Sequence, residues 1–114
     1  MQAFFFVLNR PEHLEHLLQE FAAQGIGCAT VLDSKGMARI LHSEEEMPIF
    51  YGLRAIVAPE RRSSKTIFTV LPDEQVELAR KIVNQVTGGL DVPDSGIMFA
   101  MPVTFAEGLE KKKA

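Results

Sequence analysis

The chain has 114 residues, of which 46% are hydrophobic and 24% charged, so it has the length and composition of one folded domain. Its formal net charge of -3 argues against a nucleic-acid partner, because such proteins usually carry a basic face. A single cysteine allows no intrachain disulfide and fits a cytoplasmic protein. No basic leader and no apolar run of about 20 residues stands out, so we expect no membrane insertion.

The first third of the sequence predicts a strand, a helix and a second strand. Residues 3–8 form an apolar run of strand length, and Arg10-Pro11 follows at a position suited to a helix start. Leucines and Phe21 then recur at helical spacing up to Gly25, a predicted C-cap. Residues 26–33, rich in small and β-branched side chains, predict the second strand.

The same pattern returns after residue 65. Residues 66–71 predict a strand, Pro72 and two acids start a helix, and Gly88-Gly89 ends it. A last strand is predicted over residues 96–101. Two strand-helix-strand units predict an α+β, ferredoxin-like β-α-β-β-α-β sandwich, in which two helices cover one face of a four-stranded antiparallel sheet.

The predicted first and last strands are apolar on both faces. Phe4 and Phe6 alternate with Ala3, Phe5 and Val7 in the first strand, although a solvated sheet face should be polar. Either a helix of the insert folds over the second face or sheets of several copies pack together, and we favour oligomerisation. Substituting Asp for Phe4 or Phe5, whichever faces away from the helices, should break the assembly.

Residues 34–64 are too long for a plain connection and are interpreted as an insert within the single domain 1–114. Ser34-Lys35-Gly36 predicts a turn, and Pro48 with the apolar residues up to Val57 predicts a short helix. Charged and apolar side chains together suggest a partner-binding surface, and the alternative is that the apolar ones cover the core. The partner-binding candidates are Glu44, Glu45, Glu46, Phe50, Arg54, Arg61 and Arg62.

Three blocks of the sequence, taken in order, resemble the nitrogen-regulatory PII proteins and their PII-like relatives. The C-terminal block has a helix ending at Gly88-Gly89, a loop with Pro93 and Asp94, a strand with Phe99, and a tail ending at Leu109. The other blocks are Arg10-Pro11, which looks like the start of the first PII helix, and residues 25–39, which look like the second strand and the glycine that opens the long PII loop.

The resemblance implies a homotrimer that senses a small-molecule effector, possibly a nucleotide, at clefts between subunits. It further implies signal transduction in nitrogen metabolism, with the loop acting on a target protein, either an enzyme or a membrane transporter. No catalytic residue, metal site or certain cofactor is expected. The implied ligand-binding residues are Cys28, Thr30, Gly36, Met37, Ala38, Gly88 and Gly89.

The sequence departs from PII proteins where those proteins hold nucleotide phosphates. In that family, a lysine beside the last strand and arginines that follow this strand contact the phosphates. Here residues 96–99 contain no lysine and residues 102–109 contain no arginine. The remaining candidate anion donors are the backbone N–H groups of Gly88 and Gly89. We therefore predict that ATP binds weakly.

Several single residues could have a chemical role, and each of them also has a simpler structural explanation. His13 and His16 could bind a metal or lie on a solvated helix face, and His42 with Glu44–Glu46 could act in acid-base chemistry or start a helix. Tyr51 invites comparison with the modified tyrosine of the PII loop, although packing explains it as well. Cys28 is expected to be a small buried residue. The alternatives to a PII-like regulator are thus a CutA-like, metal-linked trimer and a small ferredoxin-like enzyme.

Overall fold

A computed structural model of the chain describes residues 1–42 and 63–109. Its elements alternate between strands and helices in the predicted order, and one helix, α2, was not predicted. A single 3-10 turn, Pro11–His13, precedes the first helix. The elements are β1 (Gln2–Leu8), α1 (Leu14–Ala23), β2 (Thr30–Ser34), α2 (Met37–His42), β3 (Ser64–Leu71), α3 (Asp73–Thr87) and β4 (Gly96–Pro102).

The four strands form one antiparallel sheet in the order β2-β3-β1-β4. β1 lies in the middle and pairs along its whole length with β3 on one side and β4 on the other. The fold is therefore α+β, with a four-stranded antiparallel sheet and two main helices, and it is compatible with a ferredoxin-like fold.

The core lies between the sheet and the helices α1 and α3. Phe4, Phe6 and Leu8 of β1 are almost fully buried there, and Phe6 has no exposed surface. Leu17 and Phe21 of α1 and four residues of α3 pack into the same cluster, as the predicted helix faces require. The α3 members are Ala79, Ile82, Val83 and Val86.

The second strand begins at Thr30, four residues later than predicted, because the preceding residues close α1. Gly25 adopts a φ of 90°, and its N–H donates to Ala22 O at 3.1 Å. The N–H of Ile26 donates to Phe21 O at 2.8 Å, which completes a Schellman motif. Ile26 is thus buried against the core as part of the helix end.

The start of the insert folds into α2, where the sequence predicted only a turn. Its first turn is closed by the N–H of Ile40, which donates to Gly36 O at 3.1 Å. Met37 and Ile40, three residues apart, are 76% and 51% exposed. The helix predicted after Pro48 lies outside the described residues. In the described part of the chain, no helix is long and apolar enough to span a bilayer.

The sheet face away from the helices, called the open face below, is apolar across three strands. β1 sends Phe5 to this face and Phe4 to the core, so Phe5 is the residue whose substitution should break the assembly. The Phe5 ring stacks between Phe68 at 5.7 Å and Phe99 at 5.2 Å between ring centroids. The apolar residues of the open face are Ala3, Phe5, Val7, Phe68, Val70, Ile97, Phe99 and Met101 on these three strands, together with Leu32 on β2.

Candidate functional site

Two segments implied to bind the ligand lie at the same end of the sheet. Leu8 pairs with both Lys65 and Gly96, and Lys65 pairs with Asp33, so these four residues share one level of the sheet. The segment with Gly36 follows β2 just beyond this level, and the loop of residues 88–95 leads into β4 at the same level.

Within one chain the same two segments are held apart. β2 and β4 are the two outer strands of the sheet, and three strand spacings of about 4.8 Å separate them by roughly 14 Å. Cys28 and Thr30 lie farther away, because Thr30 begins β2 and Gly36 follows its other end after roughly 20 Å of extended chain. A single chain therefore does not bring the implied residues into one pocket.

The glycine pair uses its backbone donors within the chain. Gly88 is the left-handed cap of α3, with φ 83°, and its N–H donates to Asn84 O at 3.0 Å. The N–H of Gly89 donates to Thr87 Oγ1 at 3.3 Å, and that hydroxyl donates to Val83 O at 2.7 Å. The N–H groups of Gly88 and Gly89 therefore already have partners and are not open donors for an anion.

The loop of residues 88–95 is instead fixed by two residues that the sequence analysis did not select as site residues. Ser95 is 1% exposed, and its hydroxyl donates to Val92 O and, at 3.4 Å, to Gly89 O. Arg10 Nη2 donates to Pro93 O at 3.1 Å, and Arg10 Nε is buried with no hydrogen-bond partner among the described residues. The position of Arg10 before Pro11 marked a helix start, but nothing local in the sequence links it to Pro93.

Three of the remaining implied ligand residues, Cys28, Thr30 and Met37, are exposed. Cys28 is exposed rather than buried, because it lies before β2, and its carbonyl accepts a hydrogen bond from Thr69 Oγ1 at 3.2 Å. Thr30 is exposed at the start of β2. Met37 and Ala38 open α2. The proposed partner-binding residues Glu44, Glu45, Glu46, Phe50, Arg54, Arg61 and Arg62, and Tyr51, lie outside the described residues.

A cluster of three hydroxyls joins the two ends of the insert. Ser34 and Ser64 pair across β2 and β3, and their Oγ atoms are 2.8 Å apart. Ser64 Oγ donates to Ser34 O at 3.1 Å, and Thr66 Oγ1 donates to Ser34 Oγ at 2.8 Å. The insert therefore leaves and rejoins the sheet at adjacent positions.

The two histidines that the sequence suggested as metal ligands lie at the start of the first helix. His13 lies in the 3-10 turn, and His16 Nε2 is 4.0 Å from Glu20 Oε1 on an exposed helix surface. Within residues 1–42 and 63–109, no three His, Cys, Asp or Glu side chains are grouped to hold a metal ion. Glu44–Glu46, the suggested partners of His42, lie outside these residues.

Two surface cavities are lined by residues other than those implied to bind the ligand. One, of about 320 Å³, lies at the junction of β3 and α3 beside Met1 and Leu109. At its rim the amino group of Met1 lies 2.7 Å from Asp73 Oδ1, and this hydrogen bond lowers the pKa of that carboxyl. The other, of about 630 Å³, lies along the outer side of α3 beside Gln24.

Comparisons with known proteins identify no family for this chain. No protein-family model matches the sequence, and no curated protein is significantly similar to it.

Proposed function

We propose that this protein is a PII-like regulator. In this proposal it is a homotrimer that senses a small molecule between subunits and signals to a target protein through the insert 34–64. The order of the PII-like blocks in the sequence and two features of the fold support the proposal.

The observation that carries the proposal is the position of the two ligand segments, at one end of the sheet but on opposite edges. In the proposed assembly, the copies are related by rotation about an axis parallel to the strands. The β2 edge of one copy then lies beside the β4 edge of the next copy, and the same end of every sheet points in the same direction. The segment after Ser34 then meets loop 88–95 of the neighbouring copy. The ligand site is thus formed by assembly, which explains why one chain holds its parts about 14 Å apart.

The open face supports the self-association that this site requires. Ile97, Phe99 and Met101 are 58%, 46% and 44% exposed in the single chain. Burying a large apolar side chain stabilises an assembly by roughly 1.5–3 kcal/mol, and no charged side chain of the four strands points to this face. In the proposed trimer, the open faces of the three subunits pack against one another and are buried.

The charges around the proposed cleft favour a small polar effector over a nucleoside triphosphate. Loop 88–95 carries Asp91 and Asp94, and Lys35 follows β2 on the opposite side. With the N–H groups of Gly88 and Gly89 already bonded, few donors remain for a chain of phosphates. We therefore expect weak ATP binding.

A ligand screen on assembled and dissociated protein tests the proposal. Thermal shift is measured with ATP, ADP, AMP, cyclic nucleotides, bicarbonate and divalent metals, for the wild type, for Phe99→Asp on the open face and for Gln85→Asp on the exposed side of α3. Ligands that stabilise the wild type and Gln85→Asp should not stabilise the monomeric Phe99→Asp. Equal stabilisation of the monomer, or a submicromolar dissociation constant for ATP in calorimetry, contradicts the proposed site.

A further inference from the structure

Loop 88–95, which forms one side of the proposed effector site, contains a non-glycine residue in a left-handed backbone conformation. Asp94 has a φ of 61°, a region that residues with a side chain adopt less readily than glycine. Such a conformation persists where contacts of the surrounding structure enforce it. The two neighbours of Asp94 in the chain, Pro93 and Ser95, provide these contacts.

Ser95 is held both by the loop and by the chain that continues from β1. Its N–H donates to Val92 O at 3.3 Å, and its carbonyl accepts a hydrogen bond from the N–H of Asn9 at 3.2 Å. Its hydroxyl also donates to Val92 O and to Gly89 O, and the residue is almost fully buried. The C-terminal side of Asp94 is therefore fixed by several hydrogen bonds.

The hydrogen bond that holds Pro93 comes from the side chain of Arg10. Proline has no N–H, so the carbonyl is its only backbone hydrogen-bonding group, and this oxygen accepts from Arg10 Nη2 at 3.1 Å. The backbone of Arg10 is itself restricted, because Pro11 follows it and the N–H of His13 donates to Arg10 O at 3.0 Å. Arg10 thus connects a rigid corner between β1 and α1 to the loop.

The surroundings of Arg10 favour a positioning role over a contribution to stability. Arg10 Nε is buried with no hydrogen-bond partner in the described part of the chain, and no ion pair of the described residues includes the guanidinium. A charged group with a buried, unpartnered donor adds little net stability, because its lost hydration offsets the hydrogen bond that it makes. The burial of Nε also keeps this atom from contacting a ligand.

We propose that Arg10 is a positioning residue of the effector site and acts through Pro93 O. Its hydrogen bond fixes Pro93 and the left-handed Asp94, and it thereby sets where loop 88–95 lies relative to the neighbouring copy. The inference rests on the proposed function, because that function makes this loop one wall of the site. Effector affinity then depends on a residue that lies outside the loop.

Amide hydrogen exchange by NMR on three variants tests the hold of Arg10 on the loop. Arg10→Met keeps an unbranched side chain but removes its donors, and Arg10→Lys keeps the charge and one donor group. The matched control is Arg80→Met, which removes the same charge from the exposed side of α3. In Arg10→Met, the N–H of Ser95 should exchange about tenfold faster, although chemical denaturation gives a free energy of unfolding close to that of the wild type. Arg10→Lys should lie between the wild type and Arg10→Met, and Arg80→Met should match the wild type.

Thermal shift and calorimetry on the same variants connect the loop to the effector. The probes are ATP, ADP, AMP, cyclic nucleotides, bicarbonate and divalent metals. A probe that stabilises the wild type and Arg80→Met should bind Arg10→Met several-fold more weakly, because the loop of that variant also samples other positions.

The possible contrary results separate the role of Arg10 from the proposed function. Unchanged exchange at Ser95 in Arg10→Met overturns the positioning role, and so does faster exchange throughout the sheet with a matching loss of stability. Faster exchange at Ser95 with unaltered probe affinity overturns the link between Arg10 and the effector site. Failure of every probe to stabilise the wild type counts against the proposed function, whereas exchange at Ser95 still decides whether Arg10 fixes the loop.

Discussion

Gly96 is the first residue of β4 and pairs with Leu8 of β1. Its φ is 145°, and a Cβ at this position would lie 2.2 Å from Val7 O and 2.9 Å from a Phe6 ring carbon. Both neighbours belong to the buried central strand, so neither can move aside easily. The position therefore accepts no side chain without a shift of β1 or β4.

Gly96→Ala should lower the free energy of unfolding by about 3 kcal/mol, as backbone strain and the clash with β1 add. The control is Gly25→Ala, at a φ of 90° with no atom within 4 Å of the new Cβ, which should cost about 1 kcal/mol. Chemical denaturation measures both variants. Equal losses would show that the contact with β1 does not constrain Gly96.

The neighbouring residues Phe4 and Phe5 should respond in opposite ways to a charge. Phe4→Asp places a carboxylate in the core, where Phe4 is 2% exposed, and should unfold the chain. Phe5→Asp places it on the open face and should yield a folded monomer, with Phe99→Asp as a second variant at a more exposed position. Circular dichroism and light scattering distinguish the outcomes. Folded Phe5→Asp or Phe99→Asp protein that assembles like the wild type contradicts an interface on the open face.

Residue alternation predicted two apolar faces in β1, but it could not assign Phe4 and Phe5 to them. That assignment depends on which side of the sheet α1 and α3 cover. The roles of Arg10 and Ser95 were also beyond prediction, because Arg10 meets Pro93 across 83 positions of the sequence. Positions of this kind follow from the fold and not from a local pattern.

At the scale of elements, periodicity predicted the four strands and the helices α1 and α3, and it failed where a local motif prevailed. β2 starts late because Gly25 and Ile26 complete the Schellman motif of α1. α2 was missed because Ser34-Lys35-Gly36 resembles a turn, although Gly36 O accepts the first hydrogen bond of that helix. Of the implied ligand residues, the structure brings those after β2 and those before β4 to one end of the sheet, whereas Cys28 and Thr30 lie elsewhere.

The insert should be removable without loss of the fold. Ser34 and Ser64 pair directly, so a short Gly/Ser linker in place of residues 37–62 spans the gap that the insert leaves. The shortened chain should remain a folded oligomer with a melting temperature within a few degrees of the wild type, because the described core lies outside these residues. Calorimetry and light scattering check both properties. Unfolding of the shortened chain would show that the insert is part of the core and not an effector surface.

At the scale of the whole molecule, the open face and the divided ligand segments are the two features that support the proposed assembly. In one chain, apolar side chains of the open face are exposed, and the two segments implied to bind the ligand lie at opposite edges of the sheet. The proposed homotrimer would bury the first and bring the second together. The trimer itself was implied by the sequence resemblance, and it stays a prediction.

The mass of the wild-type protein in solution tests the central claim most directly. Light scattering at micromolar concentration, with native mass spectrometry alongside, should give three times the chain mass of 12.7 kDa. Tenfold dilution should leave that mass unchanged if the open faces are buried against one another. A mass of 12.7 kDa at micromolar concentration would contradict the account, because the divided ligand segments would then have no second subunit to complete them.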